Sequence, residues 1–589
     1  MEDNIQPAPW PLATQFPNPD SDPKKKEPIQ AVSSSYTAQT EPAHRRRGQQ
    51  WLRYLKYWIG LGPQAGVHAS LTQRRTPPPP PADSDADSVW SKIWTFFKFL
   101  GPGAIVSVAY VDPDNYQTAI ASGGSFQYKL LFMVLVSNVI AIYIQSLCIK
   151  LGTVTGKDLA QLNHQYLPRW LELALYAIAE ASIIATDLGQ VIGQAIALNI
   201  LIPSLPLPAA CVLSVADVLL ILLVYNPAGE LRRVRVFEAL VGLLVAAVFI
   251  SLCVLLAMVS PPPSEAGPVF RGFVPSREVF VDTGLYEMCA ILGGTLMPHA
   301  LYVGTALSRA RLHDFDAKDS TSTLSSTTTT TSSSTASSYH PSLRAIRHCL
   351  RYSIAELCVT LFTVAVFVNA ALVIIAGAAF YRPPSSSSSQ TGETGGGEDA
   401  AEEIPDDLYA LHDLFSTTLS PAAGTLFAVS LLISGAAAGI VSTVAGQLVM
   451  EGAFSLRISP FLRRLATRCA AAIPALAIAL GVGREGLSKA LIGCNYLLAI
   501  ALVPITFPLV WYTGKSGCMS VVVSPVEGDE EASGEGRGAG QQTGDRERVV
   551  DLKNSWLTAG VAWLLWLLVA VMDVATIVLV GLGLTEPDG

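Results

Sequence analysis

The stretch Gly101–Ala119, GPGAIVSVAYVDPDNYQTA, is apolar enough to cross a bilayer, yet it carries Asp112, Pro113, Asp114 and Asn115 at mid-length. Insertion scales charge about 2.5–3.5 kcal/mol for an acid at the centre of a membrane helix, so two of them demand compensation. Proline lacks the amide hydrogen and clashes with the preceding turn, which predicts a break in the helix here. The carbonyls freed by a break then need a water-lined cavity or a bound cation. That combination points to a membrane protein with a polar site at mid-depth.

Composition agrees. Of 589 residues, 50% are hydrophobic and 15% charged, the profile of an all-α integral membrane protein. The net charge of −8 comes from acids placed mostly in tails and one loop, and no nucleic-acid partner follows from it. Nine cysteines lie singly, mostly in apolar stretches and without a CxxC pair, so they are expected to behave as buried small hydrophobes. No short apolar core with a cleavage site opens the chain, and no removed signal peptide is expected. Residues 1–90, rich in Pro, Ser, Gln and charge, are expected to form a disordered cytoplasmic tail. No HExxH or Ser/His/Asp arrangement is present, so an enzyme is not expected, nor a resident cofactor.

At roughly 20 residues per crossing, eleven spans are expected within residues 96–583: 96–119, 128–150, 171–200, 208–225, 236–259, 284–308, 352–380, 420–447, 464–482, 487–511 and 556–583. Alternate connections carry most of the Lys and Arg, among them Arg232, Arg233, Arg235, Arg309, Arg311, Arg463 and Arg464. This bias places the N-terminus in the cytoplasm. Two low-complexity insertions, 317–340 and 383–407, are expected to be flexible connections rather than domains.

Five spans after the first break the pattern returns, as Gly293-Gly294-Thr295-Leu296-Met297-Pro298-His299-Ala300. Two broken helices five spans apart predict a 5+5 inverted repeat with an eleventh helix added, helices 1 and 6 being the broken ones. A secondary transporter of that kind holds its substrate where the broken helices meet. Two ordinary proline kinks are the alternative. Asp112 and Asn115 are hard oxygen ligands, the carbonyl near Gly294 is another, and the Met297 thioether favours softer divalent transition ions over Mg²⁺ or Ca²⁺. Glu180 and Asp187, seven apart, share one helix face, as suits either a proton route or a buried structural ion pair. Asp217, Glu356 and Asp573 lie on apolar helices with no evident partner and are not placed in the site.

These residues carry a resemblance. GPGAIVSVAYVDPDN, AEASIIATDLGQVIGQAIAL, LMPHALYVGTALSRARLHDFD, NAALVIIAGAAF, AGQLVMEG and RRLATR together resemble the Nramp family, and within it the fungal manganese permeases. The resemblance covers about residues 96–583 apart from the insertions. It implies a LeuT-type fold and proton-coupled uptake of Mn²⁺, Fe²⁺ and related ions into the cytosol. It also implies metal-binding positions at Asp112, Asn115 and Met297, with Gly294 where alanine is usual and Asn495 where glutamine is usual. Further, it implies a proton route through Asp112, Asp187 and His299, with Arg468 as the basic partner of Asp187. Gln190 stands where the family has glutamate, and Asp114 where it has glycine. Asp114 is either a turn residue that caps the second half-helix or faces a wet cavity, or a second anionic ligand.

The expected partners are a divalent metal ion as substrate and the lipid bilayer, at the plasma membrane or an endosomal or vacuolar membrane. Oligomeric state is not legible in the sequence. Two other functions stay compatible with it: a metal sensor or receptor with little flux, and a sodium-coupled organic-solute symporter of the same fold.

Overall fold

The structure is a computed structural model that describes residues 102–224, 231–259, 263–277, 283–323, 341–381, 408–454, 460–523 and 548–581. The tail expected over 1–90 and the insertion expected over 383–407 lie outside these residues. The described residues open with α1 (Pro102–Val108), α2 (Pro113–Phe126), α3 (Leu131–Thr155), α4 (Leu159–Tyr166) and α5 (Arg169–Leu201). Next come α6 (Leu207–Val224), α7 (Leu231–Val259), α8 (Ala266–Gly272), α9 (Thr283–Thr295) and α10 (Pro298–Thr323). Then follow α11 (Leu343–Thr360), α12 (Val366–Phe380), α13 (Leu408–Leu414), α14 (Pro421–Phe454), α15 (Pro460–Gly481) and α16 (Arg484–Gly514). A β-hairpin, β1 (Ser520–Val523) and β2 (Arg548–Asp551), precedes the last helix, α17 (Trp556–Gly581).

Among the described residues, eight stretches are long and apolar enough to cross a membrane. The other three expected spans correspond to the broken pair α1/α2, whose halves are each too short, to α5 and to α6. The fold is all-α apart from the hairpin. Its first and sixth spans are broken, in the LeuT-type arrangement. α11 runs into α12 through a π-helical turn, Leu361–Ala365, so the two form one span.

Local sequence explains the boundaries. Gly156 adopts φ 65°, a left-handed conformation suited to glycine, and stops α3. Asp158 then caps α4 in a reciprocal box with Gln161. The central pair is α5 against α14, surrounded by α6, α7, α15 and α16. α2 packs on α12 and α9, and α10 packs on α3. Leu243, Leu480 and Leu564 are 67%, 69% and 65% exposed, which marks α7, α15 and α17 as lipid-facing surfaces. Six cysteines are buried, Cys253 and Cys358 are half-buried, and Cys469 is exposed, so the expectation for cysteine holds for most of them.

Three expectations change. The insertion expected from 317 begins later, because α10 stays helical to Thr323. α7 begins at Leu231, so the basic run expected to be a loop is its first turn. The connection after α16 contains β1 and β2 in antiparallel register, Ser520 opposite Asp551, where the all-α expectation had no strand. Strands of four residues leave little periodicity to detect.

Candidate functional site

The first break lies before the proline rather than at it. Ala109, Tyr110 and Val111 donate their N–H groups three residues back, to Val106, Ser107 and Val108, at 3.2, 3.1 and 3.1 Å. These tight turns end α1. Asp112 is extended, with φ −115° and ψ 168°, and its Oδ1 accepts the Asn115 N–H at 3.2 Å, which makes it the N-cap of α2. Pro113 fits the first position of that helix, where no amide hydrogen is needed.

The carbonyls freed at the first break, expected to need a water-lined cavity or a cation, are met by protein donors. Tyr110 C=O accepts Asn115 Nδ2 at 3.1 Å, and Val111 C=O accepts the Ser434 hydroxyl at 2.6 Å. The unused acceptors are instead side-chain oxygens. Asp112 Oδ2 is buried and accepts no hydrogen bond. Asn115, its nitrogen committed to Tyr110, turns Oδ1 toward α9, where a Cβ on Gly294 would lie 3.0 Å from it. Glycine at 294 therefore leaves that oxygen room.

The second break is shorter, residues 296 and 297 between α9 and α10, and is likewise followed by a helix that starts on proline. Met297 donates its N–H to Thr295 C=O at 3.2 Å, and Pro298 starts α10. Met297 and His299 are both almost fully buried. Asn495 of α16 reaches this region despite its short side chain, with Oδ1 3.4 Å from the same Gly294 Cβ position. Its Nδ2 donates to Thr118 Oγ1 at 2.9 Å, and its Oδ1 has no hydrogen-bond partner. Gly293 permits this approach, because a Cβ there would be 2.6 Å from the Asn495 carbonyl. Asp112, Asn115, Gly294 and Asn495 thus surround the level at which both helices break, and Met297 belongs to the second break itself.

Asp114 is neither a cap nor water-facing. Asp112 holds the cap, and the Asp114 carboxylate is fully buried over Gly189 of α5. A second polar group lies between α5, α14 and α15. Asp187 and Arg468 are both fully buried, with Nη1 3.7 Å from Oδ1. Ser442 donates to Asp187 and sits 2.8 Å from Gln190 Oε1, while Arg468 Nε donates to Thr443 Oγ1 at 2.9 Å. His299 Nδ1 is 3.4 Å from Thr186 Oγ1, which links the second break to α5 beside Asp187. Glu180 lies two turns away on the same face, about 10 Å by helix rise, and is half-buried.

Sequence reasoning missed the hydroxyls that organise these groups: Thr118, Thr186, Ser434, Ser442 and Thr443. Small polar residues in an apolar span were the only available signal. It also left Glu356 without a partner, whereas the buried Glu356 carboxylate binds two elements. Its Oε1 accepts the Gly103 N–H at the start of α1 at 3.1 Å, and its Oε2 faces Arg311 of α10 at 3.3 Å. Beside it, Arg309 of α10 pairs with Asp158 at 3.0 Å and touches Gln161 at 3.2 Å. Burial pushes the Asp158 carboxyl above its ordinary range, while the Gln161 N–H and Arg309 pull it back. Asp573 is buried on α17 near Cys289, away from the breaks, and the side chain of Asp217 lies outside the described residues.

Comparison with known proteins places this geometry. A family profile, "Natural resistance-associated macrophage protein-like" (Nramp), matches residues 103–526. A manganese transporter of Saccharomyces cerevisiae is 40% identical over 513 residues, covering 83% of this chain and 86% of its own length. A manganese transporter of Schizosaccharomyces pombe is 40% identical over 501 residues, with coverage of 84% and 88%. An iron transporter of Saccharomyces cerevisiae is 38% identical over 484 residues, with coverage of 81% and 95%. The crystal structure of the Eremococcus coleocola manganese transporter, in complex with an aromatic bis-isothiourea substituted compound, superposes with a TM-score of 0.63 at 28% identity, covering 84% of this chain and 88% of that one.

Proposed function

The chain belongs to the Nramp family, whose members are transporters rather than enzymes, and from that premise we propose that it carries divalent transition-metal ions, Mn²⁺ and Fe²⁺ foremost, into the cytosol with protons by alternating access. The metal is the cargo, and no resident cofactor belongs to the reading. One observation carries it. Asp112 Oδ2 and Asn495 Oδ1 are buried acceptors without a hydrogen-bond partner, and Asn115 Oδ1 faces the same Gly294 position as Asn495. Buried oxygens left in that state are costly unless a cation meets them. A carboxylate and two amide oxygens beside the Met297 thioether suit a borderline transition ion better than Mg²⁺ or Ca²⁺.

In this mechanism the ion sheds water as Asp112, Asn115, Asn495 and Met297 close on it. The ties from Glu356 and Asp158 then release α1 and α10, and the site opens toward the face that carries Gly103, taken as cytosolic from the charge bias. A proton moves by way of Asp112, His299, Asp187 and Glu180, with Arg468 balancing Asp187. Gln190 cannot exchange a proton at accessible pH, which leaves Asp187 as the acid of that turn. The plasma membrane and endosomal or vacuolar membranes both fit, with the N-terminus in the cytoplasm.

Flux of Mn²⁺ into proteoliposomes, with and without an imposed pH gradient, tests the proposal. Wild type is expected to transport and Asp112→Ala to be silent. Equal flux by the two proteins would remove Asp112 from the site, and metal binding without flux would favour the sensor function.

A further inference from the structure

The first turn of α2 carries two carboxylates, and the metal-site reading uses only Asp112. Asp114 is fully buried, and neither of its oxygens accepts a hydrogen bond. Its side chain lies in a groove that α5 makes by lacking side chains. A Cβ on Gly189 would stand 2.7 Å from the Asp114 carboxyl carbon, and one on Gly193 would stand 2.5 Å from Pro113 Cγ. The groove therefore receives the Pro113-Asp114 turn closely and fixes where the carboxylate can sit.

Asp114 is also joined to the metal site through its backbone. Its carbonyl accepts Thr118 Oγ1–H at 2.9 Å, and the same hydroxyl oxygen accepts Nδ2 of Asn495 at 2.9 Å. The Asn495 oxygen left over is one of the two unpartnered acceptors of the site. A carboxylate buried without donors is neutral unless a positive charge lies near it. Arg468, a buried arginine on α15, faces Asp187 and Thr443. A divalent ion held between the breaks would supply a positive charge on the helix turn that carries Asp114.

We propose that Asp114 is a specificity-determining residue: a second negative charge beside the coordination set, which lets the site be neutralised by a divalent ion and not by a monovalent one. It acts through space, from the α5 groove, and does not enter the ligand shell. The proposal rests on the metal-site reading, since without an ion between the breaks Asp114 has no counter-charge.

Calorimetric Mn²⁺ titration of the purified full chain, in the presence and absence of excess Na⁺, tests it with three variants. Asp114→Asn keeps the volume in the groove, and Asp114→Gly removes the group altogether. Both are expected to raise the Kd for Mn²⁺ about tenfold, equivalent to about 1.4 kcal/mol, to make binding more sensitive to Na⁺, and to leave the melting temperature of the metal-free protein no lower than that of wild type, since they remove an uncompensated buried acid. Asp112→Ala is expected to abolish binding. If Asp112→Ala binds like wild type, the site reading fails and takes the proposal with it. If Asp112→Ala loses binding while either folded Asp114 variant stays within about twofold of wild type, where charge is worth less than about 0.5 kcal/mol, the proposal alone is overturned.

Discussion

Glu356→Gln should unlatch one face of the protein. The wild-type carboxylate takes the Gly103 N–H at 3.1 Å and faces Arg311 at 3.3 Å, so a single buried group joins α11 to the first half of the first span and the second half of the sixth. Glutamine keeps an oxygen for Gly103 but removes the charge that Arg311 faces. A buried interaction with a charged group contributes about 1.5–3 kcal/mol, and about 2 is appropriate here because Arg311 retains some contact with water. The tie exists only while the three helices are together, so the loss falls on the closed state alone. The open population then rises about 30-fold. Val106 on α1 lines the same crevice as Glu356 and is 3% exposed, which makes Val106→Cys a reporter. Labelling by a membrane-impermeant maleimide from the Gly103 face should be about 30-fold faster in Val106→Cys/Glu356→Gln than in Val106→Cys alone, since the rate follows the open fraction. Equal rates in two folded proteins would refute the argument.

Two further outcomes follow from the ion pairs. Arg468→Ala leaves Asp187 buried and uncompensated, a change that costs about 3–5 kcal/mol; thermal unfolding should show it, and adding Asp187→Asn should recover most of the loss. The Asp158 tie should respond to pH. Its carboxyl is held above the ordinary value of about 3.9 by burial and by Glu451, against the pull of Gln161 and Arg309. Opening returns it to water and to the lower value, so the closed state binds the proton more tightly. Lowering pH toward the raised value therefore favours closure, and raising it favours opening. Labelling of Val106→Cys, corrected for thiol reactivity, should slow as the Gly103 face is acidified and lose that dependence in Asp158→Asn; a rate that climbs on acidification contradicts the sign.

The two breaks were legible because DPDN and MPH are expensive in a membrane helix, and their separation by five spans announced the repeat. What the motif could not show was which residue does what. Proline looked like the cause of each break but proves to be the first residue of the next helix, with Asp112 as cap, because the preceding residues leave α1 through tight turns. The carbonyls freed at the first break are met by Asn115 and by Ser434, the latter a contact 323 positions apart in sequence. Glu356 had no neighbour to suggest a partner, since Gly103 lies 253 residues away. Asp114 could be placed only once Gly189 was known to lie beneath it, for a groove is defined by atoms that are missing.

Each broken span presents two helix ends to the proposed ion site, and their polarity has a consequence for release under that mechanism. α1 ends at the break and α10 begins there, both on the half tied to Glu356 and Asp158. A helix terminus carries roughly half an elementary charge, negative at the carbonyl end and positive at the amide end. If α1 and α10 swing together, the ion loses one end of each sign, and the same holds for α2 and α9 on the opposite half. The peptide field at the ion is thus nearly the same whichever half is open. Changing access does little electrical work against the backbone, and the hold on the ion is left to side chains, which substitution can tune without altering the motion.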